Sequence, residues 1–89
     1  MDYIIEDERI SCVKDGQVLA QITFPETAHG VYCINHTEVS SVLQGQGVAG
    51  RLVELAVKRI HEQGGRVTAT CSYAAHWLAK HPECADEKE

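Results

Sequence analysis

Gln44-Gly45-Gln46-Gly47-Val48-Ala49-Gly50 decides the reading of this chain. It stands between a run rich in β-branched residues and an amphipathic helix. Small residues where a helix begins let a bulky anion come close to the backbone. The unpaired N–H groups of the first turn then point at it, aided by the positive end of the helix dipole. Such a cradle suits a pyrophosphate, so the stretch predicts a ligand that carries one.

Downstream, Val48, Leu52, Leu55, Ala56 and Ile60 recur at helical spacing, with Arg51, Glu54, Lys58, Arg59 and Glu62 on the other side. Gly64-Gly65 supplies the left-handed turn that ends such a helix. Val67-Thr68-Ala69-Thr70-Cys71 predicts a short, buried, central strand. A second short helix is expected from about Ala74 to Lys80, stopped at His81-Pro82. The charged tail, residues 85–89, is expected to fray. Upstream, Ile10-Ser11-Cys12-Val13 and Val18-Leu19-Ala20-Gln21-Ile22-Thr23-Phe24 flank Lys14-Asp15-Gly16-Gln17. Asp-Gly between two β-rich runs is a hairpin signal. Tyr3-Ile4-Ile5 is a candidate extension of the first strand, Pro25 to Gly30 reads as a loop, and Val31 to Val39 as a third strand. The first forty residues thus predict an antiparallel meander.

A chain of 89 residues without internal repeat, linker or low-complexity segment is expected to form one domain, 1–89, with a small core over about 3–84. No apolar run approaches the ~20 residues needed to span a bilayer, and Met1-Asp2-Tyr3 opens no signal peptide. A cytoplasmic location with no membrane partner follows as the default. A net charge of −5 argues against nucleic acid as a partner, which calls for a basic stripe. Cys12, Cys33, Cys71 and Cys84 form no CxxC pair, and in a cytoplasmic chain they are expected to be free thiols. Cys71, His76, His81 and Cys84 are chemically able to bind zinc. Their spacing matches no common site, and no metal is expected.

Gly45-x-Gly47-x-x-Gly50 also matches the dinucleotide fingerprint, but its context does not. A Rossmann unit needs an acid about 20 positions on, at the end of the next strand, to hold the ribose. That strand ends here in Thr70-Cys71-Ser72, and a meander ahead of the loop is foreign to the Rossmann fold. The Walker pattern fails as well, because no Lys-[Ser/Thr] follows the glycines. The remaining structural reading is a glycine-rich turn that only packs a helix on a sheet.

Gln44-x-x-Gly47-x-Ala49 resembles the acetyl-CoA signature of the Gcn5-related N-acetyltransferases (GNAT), [Gln/Arg]-x-x-Gly-x-[Gly/Ala]. The order hairpin, strand, signature, helix, strand, short helix resembles their core too. Ile34-Asn35-His36-Thr37-Glu38-Val39, Cys71-Ser72-Tyr73 and Trp77-Leu78-x-Lys80-His81-Pro82 resemble, more narrowly, a minimal single-domain group of about ninety residues. The likeness runs over roughly residues 3 to 84. It implies an α/β (α+β) fold: a mixed, mostly antiparallel sheet with a splayed parallel strand pair and two main helices. It also implies acetyl-CoA as cosubstrate, its pantetheine arm near Val39 to Val42 and its pyrophosphate on the N–H groups of Gly45 to Arg51. The residues expected to meet it are Val39, Val42, Gln44, Gly45, Gln46, Gly47, Val48, Ala49, Gly50, Arg51, Ser72 and Tyr73. Lys80 is a further candidate for the CoA phosphates, and Trp77 and Leu78 for the core or a groove wall.

Acetyl transfer to an amine needs a neutral nucleophile, stabilisation of the oxyanion and a proton for the leaving thiolate. His36, whose imidazole type titrates near neutral pH, is the candidate base. The minimal group carries His at this motif position and Cys at that of Cys71, a pair viewed there as catalytic. Cys71 is a candidate proton donor or nucleophile, with strand packing as its structural alternative. A lowered thiol pKa would come from His36 or the N-terminus of the following helix. Glu38 is a second candidate base and Tyr73 a candidate acid. The expected activity is acetyl-CoA-dependent N-acetylation of a primary amine, small molecule or protein. A non-catalytic module that binds CoA or acyl-CoA is the alternative.

Overall fold

The computed structural model describes residues 1–82. Its strands are β1 (Asp2–Ile5), β2 (Arg9–Lys14), β3 (Gln17–Thr23), β4 (Glu26–Ala28), β5 (Val31–Ile34), β6 (His36–Val39) and β7 (Arg66–Ala69). The helices are α1 (Val48–Glu62) and α2 (Ser72–Lys80), with a 3₁₀ turn at Ser41–Leu43. β1, β2, β3 and β6 pair antiparallel in that order, whereas β4, β5 and β7 form a second sheet in which β5 and β7 run parallel. The mixed α+β fold with a parallel strand pair is the one the family resemblance implies. The tail, 85–89, and Cys84 lie outside the described residues.

The β2–β3 hairpin closes at Asp15 (φ 52°) and Gly16 (φ 76°), a left-handed pair whose twist matches that of its strands. Tyr3-Ile4-Ile5 does not prolong the strand that follows. The Glu6 N–H bonds back to the Arg9 carbonyl at 2.8 Å, so the chain turns and β1 runs antiparallel to β2. Three consecutive acids, Glu6, Asp7 and Glu8, keep that turn in solvent. The loop expected over Pro25 to Gly30 contains β4, a short exposed strand whose polar residues give no alternating signal.

The main departure lies within Val31 to Val39. This run is two strands rather than one, because its halves pair with different neighbours. Val31–Ile34 runs beside β7, and His36–Val39 runs beside β3. Asn35 is the break. The Ile34 carbonyl accepts the N–H groups of both Thr70 and Cys71, each at 3.1 Å, and there β7 ends, at Ala69 rather than at Cys71. Beyond this point β6 leaves for β3 while the chain after β7 enters α2, so the parallel pair parts.

α1 crosses the inner face of both sheets and buries Val48, Leu52, Val53, Ala56, Val57 and Ile60. Leu55, expected in the core, is half-buried, while Val53 and Val57 join it. The stripe is wide because α1 packs on β2, β3, β6 and β7 together. Ile10, Cys12, Ile22, Phe24 and Ile34 face it at zero exposure. Truncating Ile22 or Leu52 to Ala is worth about 2–5 kcal/mol in such a core. α1 ends where predicted. Gly64 takes φ 75°, and the Gly65 N–H bonds to the Ile60 carbonyl at 2.9 Å. A Cβ on Gly65 would sit 2.6 Å from the Tyr32 ring, so this second glycine is fixed by packing.

Candidate active site

The signature loop reaches α1 through backbone shapes that glycine adopts readily. Gly45 has φ 82° and Gly47, the N-cap, φ 74°; no side chain caps the helix and no acid lies in its first turn. The first bond at this end runs from the Arg51 N–H to the Gly47 carbonyl at 3.1 Å. The amides of Val48, Ala49 and Gly50 therefore point out of the helix end with no intrahelical partner. They open on a groove of about 280 Å³ lined by Val39, Leu43, Gln44, Gly45, Gly47, Val48, Ala49, Gly50 and Tyr73. Such an end attracts an anion through aligned amides and the dipole.

Most of the residues expected to meet the cosubstrate thus line one groove. The others lie around it. Gln46 folds back, its Nε2 donating to the Val42 carbonyl at 3.3 Å, and Val42 is exposed. Arg51 pairs with Glu54 at 2.8 Å, and Ser72 opens α2. Leu43, which the sequence reading passed over, is buried and lines the groove; an apolar residue in a polar loop was its signal. Gly50 has a packing role besides. A Cβ there would meet Tyr73 Oη at 3.3 Å and Trp77 Nε1 at 3.5 Å, so its bareness seats α2 against the first turn of α1. Trp77 in turn stacks on His81, centroids 4.0 Å apart.

Where the parallel strands part, Cys71 is the N-cap of α2, which begins at Ser72, two residues before the expected start near Ala74. Its carbonyl accepts from the Ala75 N–H at 2.9 Å, and its half-buried thiol donates to Thr37 Oγ1 at 3.6 Å. The Ser40 N–H bonds to the Leu19 carbonyl on β3 at 2.7 Å. By alternation along β6, the amides of Val39 and Thr37 face the opposite, open edge. Burial pushes the Cys71 thiol pKa up. The Ala74 N–H, the Thr37 hydroxyl and the N–H groups of Tyr73 and Thr37 outweigh it, and the net shift is downward from the usual thiol value. The helix N-terminus is thus one of the sources expected to act on this thiol. His36 is not among them.

His36 is on the other face of β6. Residues 36 and 38 are exposed and residues 37 and 39 half-buried, so alternation turns Thr37 toward Cys71 and His36 away from it. His36 Nε2 instead meets Glu38 Oε2 at 3.2 Å, and Glu38 Oε1 accepts from Gln21 Nε2 at 3.4 Å across the β3–β6 register. The His36 bond, and secondarily that of Gln21, holds the Glu38 carboxyl below the ordinary carboxylate range. The two candidate catalytic side chains accordingly flank one strand from opposite sides, with Thr37 between them in sequence.

A wider concavity, about 990 Å³, is lined by Glu6, Asp7, Glu8, Arg9, Thr23, Pro25 and Asn35. It adjoins the His36 end of β6, since Thr23 is the register partner of His36. Its acids are partly neutralised: Glu6 pairs with Arg9 at 3.1 Å, and Asp7 with Arg59. Of the candidate zinc ligands, His76 is exposed on α2 and Cys84 lies outside the described residues. Among the described residues no group of three His, Cys, Asp or Glu converges for a metal, and no helix is long and apolar enough to cross a membrane.

A parallel pair that parts, a glycine-capped helix and a cysteine at the gap thus share one α+β domain. The model of the GCN5-related N-acetyl-transferase family matches residues 5–87, and the chain belongs to that family. It is an N-acetyltransferase. A GCN5-like candidate N-acetyltransferase from Staphylococcus aureus is similar at 28% identity and a TM-score of 0.74, over 93% of this chain and 82% of that one. The fold also matches the ribosomal-protein-alanine N-acetyltransferase of Brucella melitensis biovar Abortus 2308 (16% identity, TM-score 0.61, 91% of this chain, 62% of that). An aminoglycoside acetyltransferase from an uncultured soil metagenomic sample is similar as well (15% identity, TM-score 0.64, 91% of this chain, 60% of that). None of the curated proteins matches the chain in sequence.

Proposed function

We propose that this chain transfers the acetyl group of acetyl-CoA to a primary amine. The observation that carries the proposal is the continuity of one groove from the bare amides of α1 to Val39 on the open edge of β6, two residues from Thr37, whose hydroxyl meets the Cys71 thiol. A ligand with an anionic centre at the helix end and a flexible arm along β6 brings its far end to the gap. The pyrophosphate and thioester of acetyl-CoA have that disposition.

In this reading the Val48–Gly50 amides hold the pyrophosphate, and Gly45 and Gly47 keep the loop clear of side chains. Val39 offers backbone groups to the arm. At the gap, a backbone N–H on the open edge of β6 donates to the developing oxyanion and Cys71 supplies a proton to the departing thiolate. His36, braced by Glu38, takes the proton of the incoming amine on the outer face. Acceptor and cosubstrate thus approach β6 from different sides. A panel of amines incubated with acetyl-CoA, with free CoA measured in each, tests this. Release dependent on particular amines is expected; CoA binding without release from any amine would overturn transfer to an amine. That second outcome describes a CoA or acyl-CoA-binding module, a reading that the open setting of His36, 57% exposed, favours because none of the described residues encloses an acceptor there.

A further inference from the structure

We infer that the Thr37 hydroxyl is a positioning residue for the Cys71 thiol, binding it across the gap between the parted strands. The catalytic consequence rests on the function proposed above; the coupling of the two side chains does not.

The geometry separates two duties along three consecutive residues. His36 and Glu38 face outward and bond to each other at 3.2 Å. Thr37, between them, faces inward, half-buried, with its hydroxyl 3.6 Å from the Cys71 sulfur. Cys71 is anchored by its own backbone: its N–H to Ile34, its carbonyl to Ala75. The sulfur makes no capping bond to α2. The hydroxyl is therefore the side-chain group that selects where the sulfur points. A hydroxyl suits the duty because it accepts from the neutral thiol and, after rotating its proton, donates to the thiolate. It serves both protonation states without moving the strand.

Charge does not do this work. The groups that act on the sulfur are the Ala74, Tyr73 and Thr37 amides and the Thr37 hydroxyl, none of them ionised. From β6, His36 and Glu38 face away; on α1, Arg51 is exposed and paired with Glu54; on α2, Tyr73 and His76 are exposed. Cys33 offers an internal comparison. It bonds to Thr70 Oγ1 at 3.6 Å but is buried within the sheet, where a reagent does not reach it.

The test compares Thr37→Val, which keeps shape and loses the hydroxyl, with Thr37→Ser, which keeps the hydroxyl. Iodoacetamide labelling of Cys71 in the full chain, read by peptide mass spectrometry across pH, reports the thiolate. The valine variant should move the labelling midpoint up by about half to one pH unit, the size expected for one lost hydrogen bond, with Thr37→Ser near wild type. Turnover with acetyl-CoA should fall up to about tenfold in Thr37→Val with KM for acetyl-CoA unchanged. An unmoved midpoint in Thr37→Val overturns the inference, and so does an equal shift in both variants, which would assign the effect to packing. Should the valine variant not fold, as judged by circular dichroism, Thr37→Ala against Thr37→Ser decides by the same criteria. If Cys71→Ala retains full transfer activity, the catalytic reading of Cys71 falls while the labelling still decides the coupling.

Discussion

Two helix N-termini face the same groove region, and they are finished in opposite ways. α1 begins at Gly47, a residue with no side chain, and its first amides are left bare. α2 begins at Cys71, whose sulfur lies close enough to the Tyr73 and Ala74 amides for them to favour its thiolate. The dipole is the same in kind at both ends. What differs is who occupies it. A bare end is available to an anion from outside, so it binds; an end that lies beside the chain's own thiol acts on that thiol without being capped by it, so it tunes reactivity. On the proposed function, one terminus holds the cosubstrate and the other prepares the group that meets its thioester.

The comparison breaks first at Gly47. A Gly47→Val variant places a branched side chain at φ 74° beside the amides that are meant to hold the pyrophosphate. Several charge-assisted hydrogen bonds are then lost together, and the CoA Kd should rise more than a hundredfold, about 3 kcal/mol or above. The left-handed backbone costs a further 1–2 kcal/mol or so of folding stability, so the melting temperature must be followed alongside calorimetry. Unchanged CoA binding in the folded variant would remove the cradle. The ligand class is open to the same measurement. CoA should raise the melting temperature, and NAD and ATP at equal concentration should do so far less, because the chain has neither an acid at the end of β7 nor a Walker lysine.

The α2 end should fail differently. Cys71→Ala leaves the α1 amides untouched, so CoA affinity should hold while the rate with a competent amine falls about a hundredfold or more. His36→Ala should behave alike, from the other face of β6. Mass spectrometry after mixing with acetyl-CoA alone separates the roles of Cys71. A transient gain of one acetyl group marks it as a nucleophile, whereas no gain together with a lost rate marks it as a proton donor. Full activity in both alanine variants would reduce the two side chains to packing.

The bare terminus was legible in the sequence and the one beside the thiol only in part, for physical reasons. Glycines, a helical period from Val48 to Ile60 and the Gly64 stop are local signals, and each led to the element found. Asp15-Gly16 located its hairpin by the same kind of local chemistry. The break at Asn35 is not local. Val31 to Val39 reads as continuous strand, and its division depends on β3 and β7, which belong to different sheets and are distant in sequence. Cys71 is a residue type that seldom caps a helix, so the start of α2 was placed too late. Thr37 was hidden for a related reason. A period of two puts it opposite His36, but only the docking of β7 and α2 shows that its side is the one with the thiol.

The smallest expected effect concerns Glu38, which braces His36 on the exposed face. A residue that only orients a base should matter less than the base itself, and Glu38→Ala is expected to lower turnover several-fold with CoA affinity unchanged. Its pH signature follows from the sign of the shift. The carboxyl is held below its ordinary range by His36 first and Gln21 second. The stabilisation it gives the fold is therefore complete above the pKa of an unfolded Glu and is lost as pH falls through the lower, folded value. Melting temperatures of wild type and Glu38→Ala should thus differ most near neutral pH and converge in strong acid. The difference should be small at every pH, because both partners are exposed and water screens the pair. A several-fold loss of rate with so little loss of stability would separate orientation of His36 from support of the sheet. A Glu38→Ala variant as fast as wild type would leave the His36–Glu38 contact a surface contact without a role in turnover, and His36 would have to act without it.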